Sequence, residues 1–143
     1  MTEIAFHFNV ENRLAYLCRL LRKAVAGGAK LVVTGQNDDL QQLDLMLWTF
    51  SPTDFVPHCA FEVNDTLRKN SAVILASKLD STLPGAIVVN LGESVPVGFE
   101  RHQRVIEIVT GDVMNRKLAR ARWKFYADAG YQLVQHDLQK ATA

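Results

Sequence analysis

The spacing of apolar and polar positions divides the chain into short strands and amphipathic helices. Ile4–Phe8 (IAFHF) and Lys30–Thr34 (KLVVT) read as strands, as do Ala72–Ala76 (AVILA), Ala86–Leu91 (AIVVNL) and Val105–Val109 (VIEIV). The last three are rich in β-branched residues and bounded by polar residues or by Gly and Pro, as strands buried on both faces should be. Asn12 is placed to cap a helix running to about Ala26, with Leu14, Leu17, Cys18, Leu21 and Val25 on one face and Gly27-Gly28 stopping it. With Lys30–Thr34 this completes a β-α-β unit. Asn37, Asp38 and Asp39 supply caps and favourable charge for a second helix to roughly Trp48, whose core stripe is Leu40, Leu43 and Leu47. Leu45 and Trp48 fall off that stripe. Ser51–His58, with two prolines, must be irregular, and Asn64–Ser71 reads as a polar surface connection.

The last helix, Asp112–Gly130 (DVMNRKLARARWKFYADAG), carries the least ordinary pattern. Met114, Leu118, Ala121 and Phe125 share one stripe at the helical period and are expected to pack on the sheet. Arg116, Arg120 and Trp123 fall on the other side. Spacing leaves two readings of that side open: a basic-aromatic recognition surface, or a Trp123 packed under a loop with the basic residues solvated.

Together these elements predict an α/β chain. It should form a single Rossmann-like domain over residues 1–143, with a mainly parallel sheet and helices on both faces. The segments Ser77–Gly85 and Gly92–Arg104 are short for helical crossovers, so one strand pairing is expected to be antiparallel or non-adjacent.

Composition sharpens what such a fold can do. Sixteen basic and fifteen acidic residues give a net charge of +1, so no global field draws the chain to nucleic acid or to a membrane. The last helix holds five Lys/Arg and two Asp, a local +3, which leaves −2 for the remainder. A small basic patch on a neutral chain suits a short acidic ligand better than a duplex. Cys18 and Cys59 form no CxxC pair, and a reduced, buried thiol is the default for Cys18. No basic region followed by an apolar run opens the chain, and no apolar stretch approaches the ~20 residues that span a bilayer, so a soluble cytoplasmic protein is expected.

Catalytic and cofactor chemistry finds no purchase. The first strand leads into Asn9-Val10-Glu11-Asn12 without a glycine, and the second into Thr34-Gly35-Gln36-Asn37 with one, which reads as a turn residue. Neither the dinucleotide fingerprint nor the phosphate-binding loop occurs. The histidines at 7, 58, 102 and 136 lack helical-spaced partners for a metal, and adjacent His58-Cys59 do not have the geometry of a nucleophile and its base. Asp38-Asp39 are explained as caps. No cofactor or metal is expected. What remains is surface: the basic-aromatic side of the last helix, and a group formed by Leu45, Trp48, Phe50, Phe55 and Pro57, which is either a second interface or a plug at the bottom of the core.

At this point the chain resembles the chi subunit family of bacterial DNA polymerase III. The resemblance rests on Leu47-Trp48 followed by Phe55-Val56-Pro57-His58, on the Arg104–Val109 strand feeding the last helix, and on Leu118-Ala119-Arg120-x-Arg122-Trp123-Lys124-x-Tyr126 ending in Ala129-Gly130-Tyr131. It implies a non-catalytic clamp-loader accessory subunit that pairs with a psi-like subunit. The resemblance also implies binding of the acidic, phenylalanine-ended tail of single-stranded DNA-binding protein. Carried over residue by residue, the tail site would comprise Val109, Arg116, Arg120, Trp123 and Lys124, and the psi-facing region Leu45, Trp48, Phe55 and Pro57. The family carries tyrosine where this chain has Trp123, so a role resting on that hydroxyl is not transferred, and lysine is also usual where Arg116 stands. Two other functions remain open: a nucleotide-dependent transferase with an unrecognised phosphate loop, and a direct single-strand binder stacking bases on Trp123 and Tyr126.

Overall fold

Among the described residues, seven parallel strands form one sheet. The computed structural model describes residues 2–49, 58–60, 73–76, 79 and 86–137, with backbone alone for 49 and 58–60. The strands are β1 (Glu3–Val10), β2 (Leu31–Thr34), β3 (His58–Ala60), β4 (Val73–Leu75), β5 (Ile87–Asn90), β6 (Arg104–Thr110) and β7 (Gln132–Asp137). Their order is β3-β4-β2-β5-β6-β1-β7, and all six described pairings are parallel. The helices are α1 (Arg13–Ala26), α2 (Asn37–Thr49) and α3 (Val113–Asp128).

Alternation along each strand sorts the core into two layers. Leu31, Val33, Val73, Leu75, Val89, Ile106 and Ile108 face α1 and α2, which contribute Leu17, Cys18, Leu21, Leu40, Leu43 and Leu47. Ile4, Phe6, Val32, Ile74, Val88, Val105 and Val109 face the other way, toward Ala119 and Tyr126 of α3. Helices therefore cover both faces, as the pattern predicts. The caps expected at Asn12, Gly28 and Gly130 hold as well, whereas Asn37 already lies inside α2 and Asp39 pairs with Arg13. Asn12 Oδ1 accepts from the amide of Ala15 at 3.0 Å, and Gly28 and Gly130 adopt φ of 88° and 87° where α1 and α3 end.

One of the short connections takes the second of the two expected forms, a non-adjacent pairing. None of the described pairings is antiparallel; the short segment after β4 joins strands that β2 separates, while β5 and β6 are neighbours despite a link holding only the 3₁₀ turn Phe99–Arg101. Two strands also escape the apolar pattern. β3 has three residues, and β7 (QLVQHD) is an edge strand with half its side chains in water, so it has no need of an apolar run. Phe50, Phe55, Pro57, the proline-punctuated stretch before β3 and the polar connection 64–71 lie outside the described residues.

The largest correction concerns the face α3 turns to the sheet. Met114 and Phe125, expected in the core, are 65% and 51% exposed, and Ala121 is also exposed. The buried positions are Ala119, Arg122 and Tyr126, with Trp123 half-buried beside them. The helix is rotated because β6 carries Glu107, fully buried among its apolar neighbours and on the same face as Val105 and Val109. That carboxylate accepts from Arg122 Nε at 2.9 Å, from Tyr126 Oη at 2.8 Å and from Asn90 Nδ2 at 3.0 Å. Arg122 spends a second donor on the Glu93 carbonyl at 3.0 Å. Burial pushes the Glu107 carboxyl above its usual range, and Arg122 with the Asn90 and Tyr126 hydrogen bonds opposes that push. A buried charge is tolerated only when paired and hydrogen-bonded, so this quartet dictates which side of α3 faces inward.

A second partly buried group lies at the β1–β7 seam. His7 bonds Tyr16 Oη through Nδ1, and its ring centroid lies 4.6 Å from that of His136, its partner in the ladder. Burial, then the charges of His136 and Arg104, lower the His7 pKa from 6.5 to about 4. The unfolded chain therefore takes up the proton first. The contribution is complete above about pH 6.5, is lost as pH falls toward 4, and does not change further once both states are protonated. Discounted for partial solvent screening, the loss is on the order of 2 kcal/mol. Replacing His7 by Gln, which still offers Tyr16 a polar partner, should flatten this part of a stability-against-pH curve from chemical denaturation. A variant curve parallel to wild type would assign the acid sensitivity elsewhere.

Candidate functional site: a cleft between the last helix and the first strand

α3 lies across β6 and β1 and leaves an open cleft of about 320 Å³ on its basic flank. Phe6 and Phe8 of β1, Val109 of β6 and Ala119 of α3 supply its apolar surface. Phe6, Val109 and Ala119 are each less than 10% exposed, so the floor is part of the core rather than mobile surface. Trp123 forms one wall, its ring set edge-on to Phe6 at 5.1 Å between centroids and 62° between planes. The rim is polar. Arg116 and Arg120 stand on it exposed, one helical turn apart, without ion-pair partners among the described residues. Thr110, Asn9 and Gln135 complete it.

The backbone makes room for this rim at two places. Asn9 has φ of 62°, a left-handed conformation that Asn tolerates better than most residues, and the β1–β6 register slips between His7 and Val10. The bulge directs Asn9 toward the cleft, where its amide donates to Asp137 Oδ1 at 2.9 Å. At the start of α3, Asp112 accepts from the amide of Asn115 at 3.0 Å and is bonded by the Thr110 hydroxyl, which holds its carboxyl below the usual range. The cap fixes where Arg116 emerges, one turn later.

Of the five residues expected at a tail site, the fold brings Val109, Arg116, Arg120 and Trp123 together around one cleft. Lys124 is exposed on the outer ridge of α3, four residues beyond Arg120, and is not part of the cleft lining. Trp123 is nearer the core than its spacing suggested: it is both a packing residue and a wall of the cleft. Phe6, Phe8, Asn9 and Gln135 were missed. Phe6 and Phe8 sit on alternate positions of the first strand, so their shared face was legible; the bulge and the edge strand β7 were not.

On the other candidate patch, Trp48 is 58% exposed and Leu45 66% exposed, so neither plugs the core. Phe55 and Pro57 lie outside the described residues. Tyr126 is fully buried and offers no ring for stacking a base. No helix among the described residues is long and apolar enough to cross a membrane.

This geometry suits an apolar or aromatic side chain seated on the floor with negative charge close to it. Aromatic walls give van der Waals area, and two guanidinium groups can each grip a carboxylate bidentately. Comparison with known proteins agrees on the fold and adds a lineage. The C-terminal domain of the DEAD-box protein Dbp5 superimposes with a TM-score of 0.60 at 13% identity, covering 97% of this chain and 91% of that one. A second Dbp5 C-terminal domain, from S. cerevisiae, does so with a TM-score of 0.55 at 12% identity over 96% of this chain and 90% of that one. At such identities the likeness is one of fold alone. In sequence, the chain is 29% identical over 132 residues to the DNA polymerase III subunit chi of Pseudomonas aeruginosa, covering 90% of this chain and 88% of the relative. The family described as "DNA polymerase III chi subunit, HolC" matches residues 1–134, and this chain belongs to it.

Proposed function

We propose that this chain is a non-catalytic replisome adaptor that binds the acidic, phenylalanine-ended C-terminal tail of single-stranded DNA-binding protein in the α3 cleft. The observation that carries the reading is the pairing of an aromatic-lined floor with two unpaired arginines at its rim. The terminal Phe ring would rest between Trp123 and Val109. Arg120 and Arg116 would take the terminal carboxylate and the nearest Asp side chains, with Lys124 attracting acidic residues further along the tail. A short peptide in an open cleft orders few side chains and leaves its charges near water, so binding is weak and falls with salt. Such a contact can form and release as template is consumed. The second half of the proposal is pairing with a psi-like clamp-loader subunit at the far end of the molecule. There Trp48 and Leu45 present large apolar area, and the resemblance adds Phe55 and Pro57.

Titration of the chain with a fluorescent acidic peptide ending in Phe tests the first half. Arg120→Ala should weaken binding by about 1–2 kcal/mol at low salt, and should make the affinity less sensitive to added salt. An unchanged affinity, or equal affinity for a naked oligonucleotide, would remove the cleft from consideration as a tail site.

A further inference from the structure

The rotation of α3 leaves a second, unassigned surface on the helix. Met114, Leu118, Ala121 and Phe125 recur at 4, 3 and 4 residues, the spacing of a coiled-coil seam, yet they line the flank opposite the cleft. Met114 is 65% exposed and Phe125 51%, while Leu118 is half-buried and Ala121 exposed. The seam covers three turns, about 16 Å at 1.5 Å per residue. The small Ala121 near its middle lets another backbone approach. The loop before the 3₁₀ turn borders it on one side: Gly92 and Glu93 share a shallow cleft with Met114 and Leu118, and the Phe99 ring packs edge-on to Phe125 at 6.4 Å. Val97 on that loop is 91% exposed.

Charge selects the occupant. On the solvent side the seam is flanked by Lys117 and Lys124, seven residues apart and both exposed, with no ion-pair partner among the described residues. Against a second copy of this chain, an antiparallel pairing would set Lys117 beside the other copy's Lys124. A parallel pairing would turn the lysines toward Asn115, the exposed Glu93 of the bordering loop, and the buried Arg122, which is already committed to Glu107. The antiparallel arrangement leaves the lysines without an acid and the parallel one offers two lysines a single glutamate, so a helix with its own acidic flank fits the seam better than a second copy. We infer that this flank of α3 docks an amphipathic helix from a partner protein, about three turns long, with an apolar seam and acidic residues along the side that meets Lys117 and Lys124. The cleft and the seam lie on opposite flanks of one helix, so both can be filled at once.

Two stapled helical peptides test this, sharing a leucine seam but carrying either glutamate or lysine along one flank. Each is titrated into the isotope-labelled full chain and followed by amide chemical shifts. The glutamate peptide should bind at least tenfold more tightly than the lysine peptide. Its largest shifts should fall on Met114, Leu118, Ala121 and Phe125, and it should still bind with the acidic Phe-ended peptide present. Lys117→Glu should erase most of the tenfold preference. Ala121→Arg should abolish binding of the glutamate peptide while leaving the dispersed spectrum and the cleft's affinity for the Phe-ended peptide intact. Equal binding of the two helices, binding of neither, or shifts confined to the cleft would overturn the proposal. So would sedimentation as a dimer that Ala121→Arg dissociates, which would give the seam to a second copy.

Discussion

Replacing Arg122 by Ala should lower the stability of this chain by about 3–5 kcal/mol, the range for removing one partner of a buried ion pair. For a chain of this size that corresponds to a fall in Tm of about 10–15 °C. The size of the loss follows from the group left behind. Glu107 is fully buried, and Arg122 supplies the only positive charge in contact with it among the described residues. Without the guanidinium the carboxylate keeps the hydrogen bonds from Asn90 and Tyr126 but has no compensating charge, so it must be buried ionised or take up a proton at neutral pH. The second route fixes the sign of a pH effect. Burial already raises the Glu107 pKa, and loss of the charge that opposes this raises it further. A raised acid is stabilising while protonated and loses that contribution as pH rises through its folded pKa, so the deficit of Arg122→Ala should be largest near pH 7 and shrink toward pH 5. The double variant Glu107→Leu with Arg122→Met, which removes both charges, should recover most of the loss. An Arg122→Ala protein that melts within about 3 °C of wild type would mean that the quartet is not a unit.

Trp123→Ala should have the largest effect on peptide binding, a loss of about 2–3 kcal/mol or roughly 30- to 150-fold in Kd. Arg116 and Arg120 are exposed, and their contacts compete with water and salt, whereas the Trp123 ring is held in place by Phe6 and forms a wall that excludes water from the floor. Truncation therefore removes both contact area and the shape that gives a terminal Phe its seat. The same change costs some stability, since Phe6 loses its edge-on partner, so binding is to be measured well below the melting transition. Trp123→Tyr keeps an aromatic platform of similar reach and should bind within about threefold of wild type. If Trp123→Ala folds and binds the acidic Phe-ended peptide as wild type does, the peptide sits elsewhere.

The apolar pattern conveyed most of the architecture because five of the seven described strands carry apolar runs and both α1 and α2 have leucine stripes. The core choices Leu40, Leu43 and Leu47 on α2, and Leu17, Cys18 and Leu21 on α1, are all buried, while Leu14 and Val25 of the same α1 face are half-buried against that core. The pattern misled on α3, where the most apolar stripe faces solvent and a stripe containing an arginine faces inward. Periodicity ranks residues by hydrophobicity alone, and Arg122 is buried only because of a carboxylate fifteen residues away in sequence. A signal was present in VIEIV: a glutamate inside a strand flanked by β-branched residues must either face water or find a cation. Pairing it with a guanidinium on the helix that follows would have turned α3 the right way. The cleft was legible in its α3 and β6 residues. Its remaining wall depends on β1 lying beside β6, a contact between the two ends of the chain that no local pattern carries.

That last contact has a consequence for how the protein comes to be made. Of the described strands β1 leaves the ribosome first, yet its two partners in the sheet, β6 and β7, begin roughly 100 and 130 residues later. At about 5–20 residues per second the first partner follows some 5–20 s after β1 is complete. Through that interval β1 has no neighbour on either side, and its run of Ile4, Ala5 and Phe6 is exposed together with both backbone edges. A strand one place in from the edge of the sheet is thus the last of the described strands to be enclosed. Nascent chains of this protein should need protection around β1 until β6 and β7 have been synthesised.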